Sequence, residues 1–323
     1  MKALVTGAAG FIGSHLVEYL LEKGFQVRAF VRYNSRDSWG WLDQIKGEVE
    51  VFRGDVRDYD SVREAVSHVD VIFHLAALIS IPYSYRTPQG YIKTNIEGTN
   101  NLLDAALRNN GLKKFVHIST SEVYGTAKYV PIDENHPYNP QSPYAATKAA
   151  ADMLALTYYR SFDIPVTVVR PFNTFGPRQS LRAVIPTIIT QFLTRSGRLS
   201  IGNIETRRDF LFVRDTVDGI FKVGLNEDTT GEVVNLGTGK SFSISEVISM
   251  VEEISGISAH IEIDENRFRP DKSEVEVLQC DYSKANRLTG WKPDFDLRDG
   301  LKETFEWFKE NLSKYKNFEK YNF

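Results

Sequence analysis

The sequence TGAAGFIGSH, residues 6–15, is the most informative stretch of the chain for its architecture. It follows a short apolar run, and the segment after it has apolar residues at helical spacing until Gly24. Glycines between a strand and a helix let the backbone turn tightly and approach a pyrophosphate, which the positive end of the helix attracts. This context favours a dinucleotide site over a merely structural turn. The predicted contacts in this stretch are Gly7, Gly10, Phe11, Ile12 and Gly13.

The alternation of apolar runs with helical segments continues to about residue 173. The predicted strands are KALVTG, FQVRAFVRY, VEVFRGD, VDVIFHLAA, KKFVHIST and IPVTVVRPFN, with EVVNLGTG as a later strand of the same sheet. Strands separated by helices indicate right-handed βαβ units, and apolar runs without alternation fit a parallel sheet that is buried on both faces. The predicted fold class is α/β, a Rossmann doubly wound parallel sheet.

Beyond about residue 173 the loops become longer and contain Pro and Arg. We expect a smaller mixed α/β substrate-binding lobe in this part of the chain. In this division, residues 1–173 and about 211–237 form the dinucleotide-binding domain, and about 174–210 and 238–323 form the lobe. The tail, residues 311–323, is expected to be a packed or frayed surface end, with a partner contact as the alternative.

Composition excludes several classes of function. Lys and Arg total 39 against 42 Asp and Glu, a net charge of −3, so no cationic excess indicates nucleic-acid binding. The single Cys280 cannot form an internal disulfide, which favours a reducing, cytoplasmic location. No signal peptide, membrane span or metal site is predicted. The longest apolar stretch contains Asp70 and His74 and is too short to cross a bilayer.

The end of the second strand bears on which dinucleotide binds. An acidic residue there would hydrogen-bond the ribose 2′-hydroxyl and repel a 2′-phosphate, but Val31 stands at that place and Arg32 follows it. A guanidinium suits a phosphate, so the sequence favours tightly bound NADP(H), with NAD(H) as the alternative. In that alternative Arg32 stacks on adenine or lies in solvent. The neighbouring predicted contacts are Asn34 and Ser35, and Arg36 follows them in the sequence.

Tyr144 and Lys148 form a Y-x-x-x-K pattern at the start of a predicted helix. The i, i+4 spacing places both side chains on one face, one turn apart. A free phenol has a pKa near ~10 and is a poor base at neutral pH, but a neighbouring ammonium and a positive nicotinamide ring favour the phenolate. Tyr144 would then take a proton from a substrate hydroxyl while hydride leaves the same carbon.

Together these motifs resemble the extended short-chain dehydrogenase/reductase family, the epimerases and dehydratases that act on nucleotide sugars. The resemblance covers essentially the whole chain. It is carried by TGAAGFIGSH, HLAA (74–77), the helix that contains Asn95, STSEVYG, YAATK, RPFNTFGP and RRDFLFVRD. It implies a nicotinamide cofactor and a UDP- or GDP-linked sugar as substrate.

The resemblance also implies roles for residues outside the glycine-rich stretch. Thr120 is implied as the hydroxyl partner of Tyr144, and Asp55 and Val56 as neighbours of the adenine. The implied cofactor contacts are Asp55, Val56, Leu75, Ala76, Ala77, Tyr144, Lys148 and Phe172. The implied substrate contacts are Ser84, Asn173, Arg208 and Arg269.

The residues after the fifth predicted strand favour one reaction of this family. In the 4-epimerases they are small or neutral, whereas the 4,6-dehydratases carry a carboxylate, as Glu122 does here. Dehydration needs a base for the C5 proton, which is acidic once C4 is a ketone, and an acid for the departing C6 hydroxyl. Glu122 is the predicted base, with a carboxylate that merely caps a turn as the alternative.

The general acid stays open at this point. Ser121 stands where dehydratases with a second acid carry Asp, which resembles the GDP-mannose 4,6-dehydratases, and Glu122 itself can carry the C5 proton to the leaving water. The candidate catalytic residues are Thr120, Ser121, Glu122, Tyr144 and Lys148.

The segment VRYNSRDSWGWLD, with HLAALISIPYSY, resembles more narrowly the N-acetylglucosamine 4,6-dehydratases of legionaminic acid biosynthesis. Ordinary packing of Trp39 and Trp41 under a loop is the alternative. The preferred function is a 4,6-dehydratase, a hydro-lyase with an internally recycled cofactor. An epimerase or reductase on the same fold, and a non-catalytic dinucleotide sensor or scaffold, are the other two hypotheses.

Two long helices are predicted, at about residues 93–109 and 144–161, and the second carries Ala, Met, Leu and Tyr on more than one face, more than the sheet alone would bury. The resemblance implies that they form a four-helix bundle between subunits. We therefore expect a homodimer, or a tetramer built from it.

Overall fold

The computed structural model describes residues 1–35 and 38–315. Arg36 and residues 316–323 of the tail lie outside the described residues. The strands are β1 Lys2–Thr6, β2 Gln26–Arg32, β3 Val49–Gly54, β4 Val71–His74, β5 Lys114–Ile118, β6 Val166–Pro171, β7 Asn173–Phe175, β8 Arg198–Ile201, β9 Arg207–Arg208, β10 Phe210–Phe212, β11 Val233–Leu236, β12 Phe242–Ser243, β13 His260–Ile263 and β14 Val277–Leu278.

The helices are α1 Phe11–Glu22, α2 Tyr59–Val66, α3 Ile81–Arg86, α4 Pro88–Tyr91, α5 Gly98–Leu107, α6 Pro143–Phe162, α7 Val184–Arg195, α8 Val213–Leu225, α9 Ile244–Ser255, α10 Ser283–Thr289 and α11 Leu297–Asn311. A π-helical segment, Ile92–Glu97, joins α4 to α5. Short 3-10 helices include Gly40–Gln44 and Ser121–Tyr124.

Seven parallel strands form the main sheet, in the order β3-β2-β1-β4-β5-β6-β11. The chain extends the sheet from β1 towards β3, then crosses over and extends it from β4 towards β11. This is the topology of a doubly wound Rossmann sheet, so the predicted fold is confirmed. All seven strands predicted for the sheet are present in it.

Alternate residues of the central strands pack on opposite faces of the sheet. In β1, Val5 joins the apolar cluster under α1 and α8, whereas Leu4 joins the cluster under α2, α5 and α6. In β5, Val116 and Phe115 divide in the same way. Burial on both faces explains why these strands have continuous apolar runs.

A further apolar cluster holds the smaller part of the chain together. Helices α7, α9 and α11 pack around Ile188, Val247 and Phe308, with Phe175 and Phe212 of the β7-β10 pair. The boundaries of the smaller lobe remain a proposal.

The carboxyl ends of β1, β4, β5 and β6 lie at one edge of the sheet, because these strands are parallel. The glycine-rich loop, residues 75–78, the 3-10 helix Ser121–Tyr124 and the β6-β7 junction follow these ends. Ligands of open α/β sheets bind at this edge, so the candidate site is there.

Candidate active site

The glycine-rich loop is packed too tightly for side chains at two of its glycines. A Cβ atom on Gly7, whose φ is +70°, would lie 2.9 Å from the backbone nitrogen of Ala76. A Cβ atom on Gly13 would lie 2.2 Å from the Gly7 carbonyl oxygen. Gly10 is the N-cap of α1, and no side chain caps this helix end. The loop therefore leaves backbone N–H groups free for an anion at the first turn of α1. The first residues of that turn are Phe11 and Ile12.

One hydroxyl joins β1 to the end of β4. Thr6 Oγ1 lies 2.8 Å from His74 Nδ1 and accepts hydrogen bonds from the Leu75 and Ala76 N–H groups, at 3.2 and 3.1 Å. These bonds fix the backbone after β4 against the glycine-rich loop. The predicted cofactor residues there, all half-buried, are Leu75, Ala76 and Ala77.

Arg32 is largely exposed and faces a carboxylate. Val31 is buried, whereas the Arg32 side chain is 79% exposed, with its Nε 3.9 Å from Asp55 Oδ2. Arg57 binds the same carboxylate more closely, at 2.9 and 2.6 Å, and its hydrogen bond lowers the pKa of Asp55. Negative charge therefore lies beside the guanidinium that was predicted to bind a 2′-phosphate. Of the other residues predicted here, Asn34 and Ser35 are exposed and Val56 is buried.

Tyr144 and Lys148 lie in the first turns of α6. The Ser142 hydroxyl caps this helix by accepting a hydrogen bond from the Ala145 N–H at 3.1 Å. Lys148 Nζ donates to the Ile118 carbonyl oxygen, at 2.7 Å. The ammonium is thereby tied to the end of β5, directly before the segment that carries the predicted catalytic residues.

Burial controls the charge of both groups. It raises the pKa of Tyr144, while a hydrogen bond with Thr120 lowers that pKa and the charge of Glu122 raises it. Burial lowers the pKa of Lys148 to about 8. Tyr144 is thus a neutral phenol at neutral pH, and a positive ring bound beside it would favour its ionisation.

Glu122 is buried in the 3-10 turn after Thr120. Thr120 Oγ1 accepts a hydrogen bond from the Glu122 N–H at 3.3 Å. The Glu122 carboxylate lies 3.7 Å from Arg269 Nη1, which also lies 3.9 Å from Glu274. Glu274 in turn pairs with Arg208 at 3.4 Å. The structure therefore brings the predicted base together with both arginines predicted to contact the substrate.

Asn173 Oδ1 and Arg269 Nη1 are buried near this edge without a hydrogen-bond partner within the described ranges. Such atoms are costly unless water or a ligand satisfies them, so both can serve a bound substrate. Phe172, before Asn173, is buried. Ser84 is fully buried as well, but its hydroxyl donates to the Ile81 carbonyl oxygen of its own helix at 2.7 Å. Ser121 is also buried.

Asn95 is a residue of the site that sequence reasoning used only as part of a helix. Its Nδ2 donates to the Leu78 carbonyl oxygen and to Thr147 Oγ1, both at 3.0 Å, and its Oδ1 accepts from the Leu78 N–H at 2.8 Å. It thereby ties the loop after β4 to α6. Asn95 lies in the π-helical segment, a feature that recurs at functional sites and that no spacing in the sequence indicates.

The two tryptophans after β2 both pack within the protein. The Arg53 guanidinium lies 5.2 Å from the Trp39 ring centroid. Trp41 packs against Trp307 and Tyr315, with 5.5 and 5.8 Å between ring centroids. Packing under a loop, the alternative considered for this segment, therefore describes both side chains.

Residues 1–35 and 38–315 contain no group of three or more His, Cys, Asp or Glu side chains that could hold a metal ion. Over the same ranges, no helix has the length and apolarity needed to cross a membrane.

The sequence profile of a family described as GDP-mannose 4,6 dehydratase matches residues 4–304. This chain belongs to that family. The low-salt glycan biosynthesis protein Agl12 of Haloferax volcanii is 34% identical over 314 residues, 95% of this chain and 98% of that protein. A dTDP-glucose 4,6-dehydratase of Streptomyces antibioticus is 32% identical over 317 residues, 96% of this chain and 93% of that protein.

Solved structures of the family superpose closely on this chain. The UDP-glucuronic acid 4-epimerase of Bacillus cereus, in complex with UDP-glucuronic acid and NAD, has a TM-score of 0.88 at 33% identity, covering 96% of this chain and 99% of that chain. The dTDP-glucose 4,6-dehydratase DesIV of Streptomyces venezuelae, with NAD and TYD bound, has a TM-score of 0.88 at 29% identity, covering 98% and 100%. These relatives are named for different reactions, so family membership alone leaves the reaction of this chain open.

Proposed function

We propose that this chain is a nucleotide-sugar 4,6-dehydratase that converts a UDP- or GDP-linked hexose to its 4-keto-6-deoxy derivative. The observation that carries the proposal is the position of Glu122, which is buried beside Thr120. The Glu122 carboxylate is also close enough to Tyr144 for its charge to raise the pKa of that tyrosine. A hydroxyl, a tyrosine and a lysine are enough to remove the proton when C4 is oxidised, with a nicotinamide dinucleotide as the hydride acceptor, whereas the additional carboxylate supplies a base for C5.

The glycine-rich loop fits a nicotinamide dinucleotide. Gly7 and Gly13 leave no room for side chains, and the uncapped first turn of α1 offers N–H groups to a pyrophosphate. When bound, the dinucleotide supplies a hydride acceptor at C4 and a hydride donor at C6. Both solved structures named above contain NAD, and Asp55 places a negative charge beside Arg32. We therefore propose NAD(H) in place of the NADP(H) that Arg32 suggests in the sequence.

Each candidate catalytic residue has one role in this proposal. Tyr144 takes the proton of the C4 hydroxyl, while Lys148 and Thr120 stabilise its phenolate. Glu122 then removes the C5 proton, and the same carboxyl group protonates the departing C6 hydroxyl.

The substrate diphosphate is assigned to the arginine cluster. Arg208 and Arg269 supply two guanidinium groups next to Glu122. The buried Asn173 side-chain oxygen, which has no partner among the described residues, can accept a hydrogen bond from a donor group of the nucleotide sugar. Following the narrower resemblance, we propose N-acetylglucosamine as the hexose. A 4-epimerase on the same fold is the alternative.

Decarboxylation is a second candidate, in which Arg269, 3.7 Å from Glu122, pairs with a carboxylate at C6 of a uronate instead of with the diphosphate. Once C4 is a ketone, that carboxylate belongs to a β-keto acid and leaves as CO₂. The UDP-N-acetyl-α-D-glucosaminuronate decarboxylase of Bacillus cytotoxicus is 33% identical over 322 residues, 96% of this chain and 98% of that protein.

One experiment separates the three reactions. The purified chain is incubated with UDP-, GDP- and dTDP-linked glucose and N-acetylglucosamine, and with the matching UDP-linked uronates. Products are analysed by mass spectrometry for a change of mass and by proton NMR for the configuration of the sugar. Loss of water from a hexose supports the dehydratase. Loss of CO₂ from a uronate, with no reaction of the hexoses, supports the decarboxylase instead. A changed sugar configuration at unchanged mass supports the epimerase.

A further inference from the structure

Arg208, a proposed ligand of the substrate diphosphate, lies on the middle strand of a very small sheet. β9 pairs with β12 on one side and with β14 on the other. Each of these three strands is two residues long. Strands of this length form few ladder hydrogen bonds, and so small a sheet is marginal by itself. Contacts outside the ladder must therefore hold the sheet together around Arg208.

The Arg208 guanidinium takes its direction from the segment that leads into β14. Its Nη1 donates to the carbonyl oxygens of Arg207 and Glu276, at 2.9 and 3.3 Å, and its Nη2 donates to Glu274 Oε1 at 3.4 Å. The side chain is buried. The position of the guanidinium thus depends on how β14 and the residues before it lie against β9.

Asp209, the residue after Arg208, joins the two outer strands of this sheet. Its fully buried carboxylate is bonded to donors on both sides. Oδ1 accepts from the Thr238 N–H and hydroxyl groups, at 2.8 and 2.7 Å. Oδ2 accepts from the N–H groups of Gly239 and Cys280, at 2.9 and 3.0 Å. Thr238 and Gly239 precede β12, whereas Cys280 follows β14, so one side chain connects both neighbours of β9.

The main chain of Asp209 connects the same sheet to another proposed substrate contact. Its N–H donates to the Leu278 carbonyl oxygen of β14 at 2.8 Å, and its carbonyl oxygen accepts from the Asn173 N–H of β7 at 3.0 Å. Asp209 therefore lies where the strands that carry Arg208 and Asn173 meet.

The groups bonded to the Asp209 carboxylate are all donors, which makes this position sensitive to a change of one atom. An asparagine has the same shape, but its NH₂ group would have to face the Thr238 N–H, or else the N–H groups of Gly239 and Cys280. In either orientation a buried main-chain donor loses its acceptor. Asp209→Asn should therefore loosen the contact between β12, β9 and β14 without changing the size of the side chain.

We propose that Asp209 is a positioning residue for recognition of the substrate diphosphate, which acts by holding the strand of Arg208 between its two neighbours. This inference rests on the proposed function only in assigning Arg208 to the diphosphate. It is independent of whether the sugar is dehydrated, epimerised or decarboxylated, because all three reactions use a nucleoside diphosphate sugar.

The test measures the binding of a nucleoside diphosphate to the holoenzyme by isothermal titration. UDP, GDP and dTDP are titrated into the wild type, and the one that binds most tightly becomes the probe. Asp209→Asn should weaken binding of the probe by about tenfold or more. The KM of the matching nucleotide-linked N-acetylglucosamine should rise by a similar factor, while kcat stays within about threefold of wild type. The content of bound dinucleotide should not change.

Asp215→Asn is the matched control, because Asp215 is another buried carboxylate of the same stretch of sequence. It accepts from the N–H groups of Asp294 and Phe295, at 3.1 and 3.0 Å, in the segment before α11. This variant should lower the melting temperature, as Asp209→Asn does, but keep the affinity for the probe within about twofold. Thermal unfolding of every variant is measured alongside binding.

A double-mutant cycle with Arg208→Ala shows whether Asp209 acts through that arginine. When Arg208 is already absent, Asp209→Asn should weaken binding of the probe by less than about twofold, because the group that it positions is gone. A residue that only stabilises the fold would not produce this dependence. An effect of equal size in both backgrounds would overturn the proposal, as would wild-type affinity in a folded Asp209→Asn variant.

If Asp209→Asn does not fold, Thr238→Val takes its place, because it removes the hydroxyl donor and keeps the main-chain N–H groups. It should weaken binding of the probe about threefold, and wild-type affinity would overturn the proposal. Failure of the proposed function gives a different result. If Arg208→Ala leaves binding of the probe unchanged, or if the wild type binds none of the three nucleotides, the assignment of Arg208 to a substrate diphosphate is wrong.

Discussion

The Glu122 carboxylate and the Arg269 guanidinium lie 3.7 Å apart, although 147 positions separate them in the sequence. Glu122 follows β5 at the edge of the main sheet, and Arg269 lies in the segment between β13 and β14. The proposed C5 base is therefore next to a proposed ligand of the substrate diphosphate. In the proposed function, substrate recognition and elimination would therefore share one ionic cluster.

Glu122→Gln should nearly abolish water loss, by about 100-fold or more, because it removes the base but preserves the shape of the side chain. The fold and the cofactor content should not change. The measurement is product mass against time. Glu274→Gln, which alters the same arginine cluster without touching the proposed base, should raise KM more than it lowers kcat. Dehydration within about tenfold of wild type, about 1.4 kcal/mol of barrier, would exclude Glu122 as the base.

Tyr144→Phe should block the oxidation of C4, so that no reduced nicotinamide forms even transiently. The measurement is stopped-flow absorbance after substrate is mixed with the holoenzyme. Tyr91→Phe is the matched control, because this ring lies 6.3 Å from that of Tyr144 and its hydroxyl donates to the Ser80 carbonyl oxygen. The control should keep the transient absorbance of reduced nicotinamide. If that transient also survives in Tyr144→Phe, another group is the base.

Local patterns in the sequence were sufficient for the sheet. A strand needs only a run of apolar residues, and the tight contact of Gly13 with Gly7 lies within the loop that follows β1. The pairing of Tyr144 with Lys148 is likewise a property of helical spacing. These elements could be predicted because their contacts are short in sequence or repeat along the parallel strands.

Contacts that depend on register or tertiary packing could not be predicted. Asp55 meets Arg32 because β3 pairs with β2 so that Gly54 lies opposite Arg32. Asp152 meets Arg170 because α6 packs on β6, and Asn95 reaches Leu78 through a π-helical turn. Charges at these positions have no periodicity, so only the assembled fold reveals their partners.

Met153→Asp should convert a homodimer into a monomer. Met153 is 52% exposed on α6, and Leu107 at the end of α5 is 38% exposed, so these two helices present apolar surface to solvent in a single chain. The measurement is sedimentation equilibrium at micromolar protein. Tyr129→Ser, at an exposed aromatic residue outside both helices, should leave the mass of the wild type. A monomeric wild type would contradict the predicted four-helix interface.

The cofactor should copurify with the chain, and turnover should need none added. Hydride removed from C4 is returned to C6, so the net redox change of the dehydratase reaction is zero. The measurement is the dinucleotide content of the denatured protein, followed by turnover without added nucleotide. A need for stoichiometric added oxidant would contradict internal recycling.

The dinucleotide released from the denatured protein should be NAD(H), and Arg32→Ala should change NAD(H) affinity by less than about twofold, which is below ~0.5 kcal/mol. The reason is that the Arg32 side chain is 79% exposed and lies 3.9 Å from the Asp55 carboxylate, an exposed pair of the kind that contributes little to stability. Arg63→Ala, at an exposed arginine that pairs with Asp60 on α2, is the matched control. Isothermal titration of the stripped protein with each dinucleotide gives both affinities. Release of NADP(H) instead, with binding of NADP(H) weakened about tenfold by Arg32→Ala, would contradict this prediction. The Arg32 guanidinium would then bind the 2′-phosphate, and its ion pair with Asp55 would have to break.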